Sequence, residues 1–230
     1  MHKKRKLKWG RIIFCCIVIV GSVWFVKNFD RELLFPKETL PMMQANQGED
    51  PLILVNQDHE LPDDYQVELS SFDGYEIATA IRSSLEEMYQ AARRNGVTLH
   101  INNAYRSVAV QQEVFDQKLA YYQQLGYDAA TALEKTKAQV QEPGYSEHHT
   151  GYAIDFSKEN DSVSNEQMWA WLNKHASQYG FILRYSEACK PITKIEYEPW
   201  HYRYVGTEAA QTIVKQNLCF EEYIQLYGKD

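Results

Sequence analysis

The chain has 230 residues, 44% of them hydrophobic and 24% charged, which suits one ordinary globular domain with an appendage. The first eleven residues hold Lys3, Lys4, Arg5, Lys6, Lys8 and Arg11 and no acid; the remainder has 18 Lys and Arg against 31 Asp and Glu, a formal charge of −13. An acidic body argues against nucleic acid as the partner, because binding phosphates needs a basic face.

After the basic run, Ile12 to Val26 is almost wholly apolar and Lys27 follows. That is short for a spanning helix of roughly 17–25 residues, but Trp9 and Gly10 extend it. Positive charge ahead of the segment keeps the N-terminus inside and sends the rest across. Residues 1–27 therefore read as a membrane anchor or signal segment. An uncleaved anchor is favoured, because no convincing small-x-small cleavage site follows Val20. The expected location is the cell membrane, single-pass, with the main domain outside the cytoplasm, or secreted if the signal is cleaved. Residues 28–50, with Pro36, Pro41, Gln44, Asn46, Gln47 and Gly48, read as a linker, and 51–230 as the functional domain.

Leu52 to Val55 is a short apolar run, either an early strand or an extended arm on the domain. Between Gly74 and Asn95, Ile77, Ile81, Leu85, Met88 and Ala92 recur at helical spacing, with Asn95-Gly96 as the stop. Val97 to Tyr105 is β-rich, so a strand is expected to end near Arg106. Ser107 fits the N-cap of a helix holding Val108, Gln111, Gln112 and Phe115, and a second helical stretch runs from Asp128 to Gln141. Ala153 to Phe156 reads as a strand. Ser164 would cap a helix through Tyr179 that Gly180 closes. Phe181 to Tyr185 and Ile195 to Val205 read as strands, and Thr207 would cap the closing helices. The class is α+β, a mostly antiparallel sheet flanked by helices.

Two stretches carry the chemistry: Pro143 to Asp155 (PGYSEHHTGYAID) and Glu198 to Gly206 (EPWHYRYVG). A catalytic zinc site takes three protein ligands and leaves one position open, with imidazole and carboxylate the usual hydrolytic set. His148, Asp155 and His201 supply that set, and Glu198 supplies a general base. Along a regular strand, residues three apart face opposite sides, so Glu198 and His201 would not both reach one metal. Pro199, which lacks an amide donor, implies that the strand bends or begins there. His149 beside a ligand is a candidate supporting residue. His59, His100 and His175 read as ordinary surface or core residues. Cys189 and Cys219 would stand on the exported side, where a disulfide persists. They form one bridge or remain two unrelated thiols.

Tyr105-Arg-Ser107 with Gln111, Ser146-x-His148-x-x-Gly-x-Ala-x-Asp155, Tyr179-Gly-Phe-Ile-Leu-Arg-Tyr185 and Tyr197-Glu-Pro-Trp-His201-x-Arg-Tyr-Val-Gly206 resemble the VanY-type D-alanyl-D-alanine carboxypeptidases. Those enzymes belong to the zinc peptidases that share a fold with lysostaphin-type enzymes and the hedgehog domain. The resemblance covers roughly residues 55–228. It implies zinc on His148, Asp155 and His201, with Glu198 as the base. It further implies Arg106 beside the scissile carbonyl or terminal carboxylate, and Ser146 and Gln111 holding that carboxylate. The implied substrate is a peptidoglycan stem peptide or precursor ending in D-Ala. An L,D-carboxypeptidase acting on tetrapeptide stems is the neighbouring alternative, and an inactive wall-binding module a more distant one. Members of the family often carry glycine where Lys194 stands, so the local shape or charge there is expected to differ.

Overall fold

The computed structural model describes residues 50–157 and 162–228. The expected anchor and nearly all of the linker lie outside them. No described helix is long and apolar enough to cross a membrane.

The chain enters as an extended arm rather than a strand. Leu52 and Leu54 pack on one core cluster, and Asn56 and His59 form an isolated bridge. A β-hairpin follows, β1 (Leu69–Phe72) against β2 (Tyr75–Ala78). Asp73 (φ 51°) and Gly74 (φ 85°) both turn left-handed between the two strands, the geometry that favours a tight hairpin. This corrects the helix expected from Gly74. Ile77, Ile81, Leu85, Met88 and Ala92 are all buried in the main core, so the spacing marked burial. The helix itself, α1 (Arg82–Arg94), begins only after a 3-10 turn at Thr79–Ile81. The Asp-Gly pair was the local signal for the turn.

β3 is shorter than expected, covering Ile101–Asn103 alone. Ser107 caps α2 (Val108–Gln124), its Oγ accepting from Val110 N. Asp128 likewise caps α3 (Ala129–Lys137) through Thr131 N. β4 (Ala153–Phe156) follows the 3-10 turn Glu147–Thr150. α4 (Ser162–His175) starts ahead of the expected Ser164 cap and continues as a 3-10 turn to Tyr179. Gly180 (φ 85°) then closes it; a Cβ there would meet the Tyr204 ring at 2.6 Å. β5 spans Phe181–Leu183, and the single-turn α5 spans Lys190–Thr193.

β6 is confined to His201–Tyr204, not the whole of 195–205. α6 (Thr207–Gln216) is preceded by Gly206, so Thr207 is its first residue and not its cap. α7 (Phe220–Tyr227) is the last described element. The four-stranded sheet has the order β3-β4-β6-β5, antiparallel throughout. Helix α1, the turn before β5 and one sheet face enclose the main core. A second cluster lies under α6 and α7, where Cys189 and Cys219 form a disulfide.

Candidate active site

Strand register brings the first two metal candidates together. Asp155 on β4 is the direct partner of His201 on β6, the cross-strand position at which side chains on one face meet. Asn103 on β3 pairs with Asp155 from the other side, and its Nδ2 donates to Asp155 Oδ2 at 3.0 Å. His148 arrives from the turn before β4. Ser146 Oγ caps that turn by accepting from His148 N at 3.4 Å, and Gly151 (φ 73°) ends it. The Gly151 carbonyl accepts from the Ala78 amide at 3.0 Å, and a Cβ at residue 151 would stand 2.9 Å from Ala78 N. Close backbone approach therefore accounts for this glycine.

The ring orientations follow from hydrogen bonds. His148 Nδ1 donates to Ala104 O at 2.7 Å, leaving Nε2 unprotonated and 3.3 Å from Asp155 Oδ2. His201 Nδ1 is 3.0 Å from Asp155 Oδ1 and 3.7 Å from Glu198 Oε2, while its Nε2 donates to Glu147 Oε2 at 3.3 Å. One ligand atom from each of His148, Asp155 and His201 lies within 4.8 Å of the others. Zinc takes nitrogen and oxygen at about 2.0–2.2 Å, so tetrahedral donors stand roughly 3.3 Å apart. His148 Nε2 and His201 Nδ1 approach the two Asp155 oxygens at 3.3 and 3.0 Å, close to that spacing. Asp155 Oδ1 is moreover buried, with the His201 ring nitrogen as its close neighbour. The donor set fits zinc.

Glu198 lies in a turn before β6, where its N–H donates to Tyr185 O at 3.0 Å and its carbonyl accepts from His201 N at 3.2 Å. The strand begins at His201, so both side chains face the same site. In the metal-free site burial lifts the Glu198 carboxyl to about 8, with the His201 charge opposing and that of Asp155 adding; a bound cation would bring it down again. Burial lowers the His148 imidazole. Burial would also lower His201, but its hydrogen bonds to Asp155 and Glu147 prevail and raise it to about 9.

Arg106 is fastened to the metal-ligand turn, with its N–H donating to His148 O at 3.1 Å and its carbonyl accepting from His149 Nδ1 at 2.6 Å. His149 Nε2 accepts in turn from Gly144 N, which makes His149 a brace between two loops. Arg106 Nη1 donates to Gln111 Oε1 at 2.6 Å, and Gln111 Nε2 donates to Gln141 O at 2.6 Å. Gln111 is 1% exposed. Both ends of its amide are thus engaged, and its oxygen holds the Arg106 guanidinium. Lys194 adopts φ 60°, a left-handed position at which glycine has no steric cost.

Sequence reasoning missed Asn103, Glu147, Arg184 and Arg203. Arg184 and Arg203 stand in the quoted motifs but were given no role, and nothing in one sequence marks Asn103 or Glu147 as pointing inward.

A largely buried glutamate beside a His–Asp–His cluster, with an arginine fastened to the same turn, is an arrangement that suits a zinc metallopeptidase. The profile of the VanY family, D-alanyl-D-alanine carboxypeptidase, matches residues 75–207. A D-alanyl-D-alanine carboxypeptidase of Enterococcus faecalis (strain ATCC 700802 / V583) is 39% identical over 182 residues, 79% of this chain and 68% of that one. The vancomycin resistance D,D-pentapeptidase VanY from a VanB-type resistance cassette, solved as a mutant with Zn(II), superimposes with a TM-score of 0.73 at 40% identity. The match covers 76% of this chain and 99% of that one. The LdcB LD-carboxypeptidase gives a TM-score of 0.63 at 32% identity over 77% of this chain and 88% of its own. The chain belongs to the VanY family of D-alanyl-D-alanine carboxypeptidases and is a zinc metallocarboxypeptidase.

Proposed function

We propose that the protein removes the C-terminal D-alanine from peptidoglycan stem pentapeptides or their precursors, outside the cytoplasm and tethered by residues 1–27. The observation that carries the chemistry is the convergence of His148, Asp155 and His201 with Glu198 behind them. Zinc bound there supplies a Lewis acid for the scissile carbonyl and lowers the pKa of its water to about 7. Glu198 accepts the proton of the attacking water and delivers it to the leaving amine. Arg106 sets fixed positive charge beside the developing oxyanion or the terminal carboxylate, a contribution worth about 3–4 kcal/mol per donor in comparable sites. Gln111 holds the guanidinium in place, and Ser146 adds a hydroxyl contact to the carboxylate. A structure of VanYB in complex with D-alanine-D-alanine, at TM-score 0.73 and 39% identity, favours the D,D reading over the L,D one.

Pentapeptide and tetrapeptide stems, each with and without a chelator, form the test. Chelator-sensitive loss of D-alanine from the pentapeptide supports the proposal; loss from the tetrapeptide alone would make the enzyme L,D-specific. The location is supported by the apolar run at Ile12–Val26 behind six basic residues, and by a Cys189–Cys219 disulfide of a kind that persists in oxidising compartments. Protease accessibility of the domain in intact cells, together with its partition into membranes, checks it.

A further inference from the structure

Beneath the metal ligands lies a group of charges with no part in the chemistry described so far. The Glu147 side chain is fully buried. Its Oε1 meets Arg184 Nε at 2.8 Å and Arg203 Nη1 at 3.1 Å, and its Oε2 accepts from His201 Nε2. Arg184 then donates from Nη1 and Nη2 to Glu221 on α7, at 3.0 and 2.5 Å, and Asn56 Nδ2 also donates to Glu221. Arg203 Nη2 donates to the carbonyls of Pro51 and Ile53 in the arm, at 3.0 and 2.8 Å. Two carboxylates thus balance two guanidiniums. Burying four charges costs stability that apolar packing would not, so a second use is expected of the group.

We propose that Glu147 is a positioning residue for the metal ligand His201, and that Arg184, Arg203 and Glu221 hold it in place. An imidazole that donates from one nitrogen to a fixed carboxylate presents the other as a lone pair in a set direction. Glu147 takes the Nε2 proton, so Nδ1 faces Asp155 and Glu198. Because Glu221 and Asn56 lie outside the matched span 75–207, metal affinity here depends on the arm and the last helix as well as on the motifs. The inference rests on the zinc reading of the site, and its test separates the two.

Zinc dissociation constants of the full chain are measured by competition with a chromophoric chelator, and the visible spectrum is recorded on the cobalt-substituted protein. Glu147→Gln places an amide NH₂ among arginine donors, so the variant should bind zinc roughly 10–100-fold more weakly and shift the cobalt bands. A folded variant with unchanged zinc affinity and cobalt spectrum would overturn the proposal, leaving Glu147 a purely structural counter-ion. If Glu147→Gln does not fold, the wild-type protein decides: long-range ¹H–¹⁵N correlation of its zinc-loaded form should show His201 protonated at Nε2. Protonation at Nδ1 would overturn the proposal. Glu221→Gln, milder and farther away, should weaken zinc several-fold, and no change would remove α7 from the support. A wild type that binds no zinc would instead defeat the reading of the site.

Discussion

Glu198→Gln separates the chemistry of the site from its architecture. The side chain is 12% exposed, with Oε2 3.7 Å from His201 Nδ1, and its backbone is pinned by Tyr185 O and the His201 amide. An isosteric amide therefore stays where the carboxylate was but cannot accept a proton. Losing a general base typically costs about 10²–10⁴-fold, or roughly 3–5 kcal/mol of transition-state stabilisation, and should appear in kcat. Stability should move the other way. An acid whose pKa is raised on folding loses stability as pH climbs from its unfolded value, here 4.5, towards about 8. The neutral amide escapes that loss, so the metal-free variant at pH 7 should melt no lower than wild type. The assay is kcat and KM on a peptide ending in D-Ala-D-Ala, with zinc content measured on the same samples. Zinc-replete Glu198→Gln within a few-fold of wild type would refute the assignment and pass the role to another group.

With its imidazole raised to about 9, His201 is protonated at pH 7 and must lose that proton to take a metal. Calorimetric zinc binding should release at least one proton per ion, seen as an enthalpy that varies with buffer ionisation, and affinity should weaken as pH falls below about 9. A buffer-independent enthalpy would show His201 already neutral. Gly151→Ala forces a Cβ to 2.9 Å from Ala78 N at φ 73°; about 2 kcal/mol should be lost in chemical denaturation, with weaker zinc binding because His148 shares the turn. An unchanged denaturation midpoint would count against the close-approach argument. The Cys189–Cys219 bridge closes a separation of 30 residues, worth roughly 3.5 kcal/mol on the loop-entropy view. A Cys189→Ser, Cys219→Ser double variant with unaltered stability would discount it.

Short-range chemistry was open to reading from the chain alone. Ser107 and Asp128 cap helices because a side-chain oxygen needs only an amide three residues on, and Gly180 ends its helix because φ 85° asks for glycine. His148, Asp155, His201 and Glu198 could be named from local spacing, since a loop, a strand and a turn each present them within a few residues. What the chain could not disclose were facts set by contacts distant in sequence. The strand expected over 195–205 shrank to His201–Tyr204, because only β4 and β5 offer partners there and Pro199 has no amide to give. Ile77 has the period of a helix face, yet it sits in a hairpin whose turn is set by two left-handed residues. Gln111 turned inward to hold Arg106, and the pairing of Cys189 with Cys219 awaited the docking of α7. Glu147 looked like a spacer between Ser146 and His148. Only the packing of β5, β6 and α7 put two guanidiniums and an imidazole around it, because the position of a buried charge is decided by the groups that replace its water.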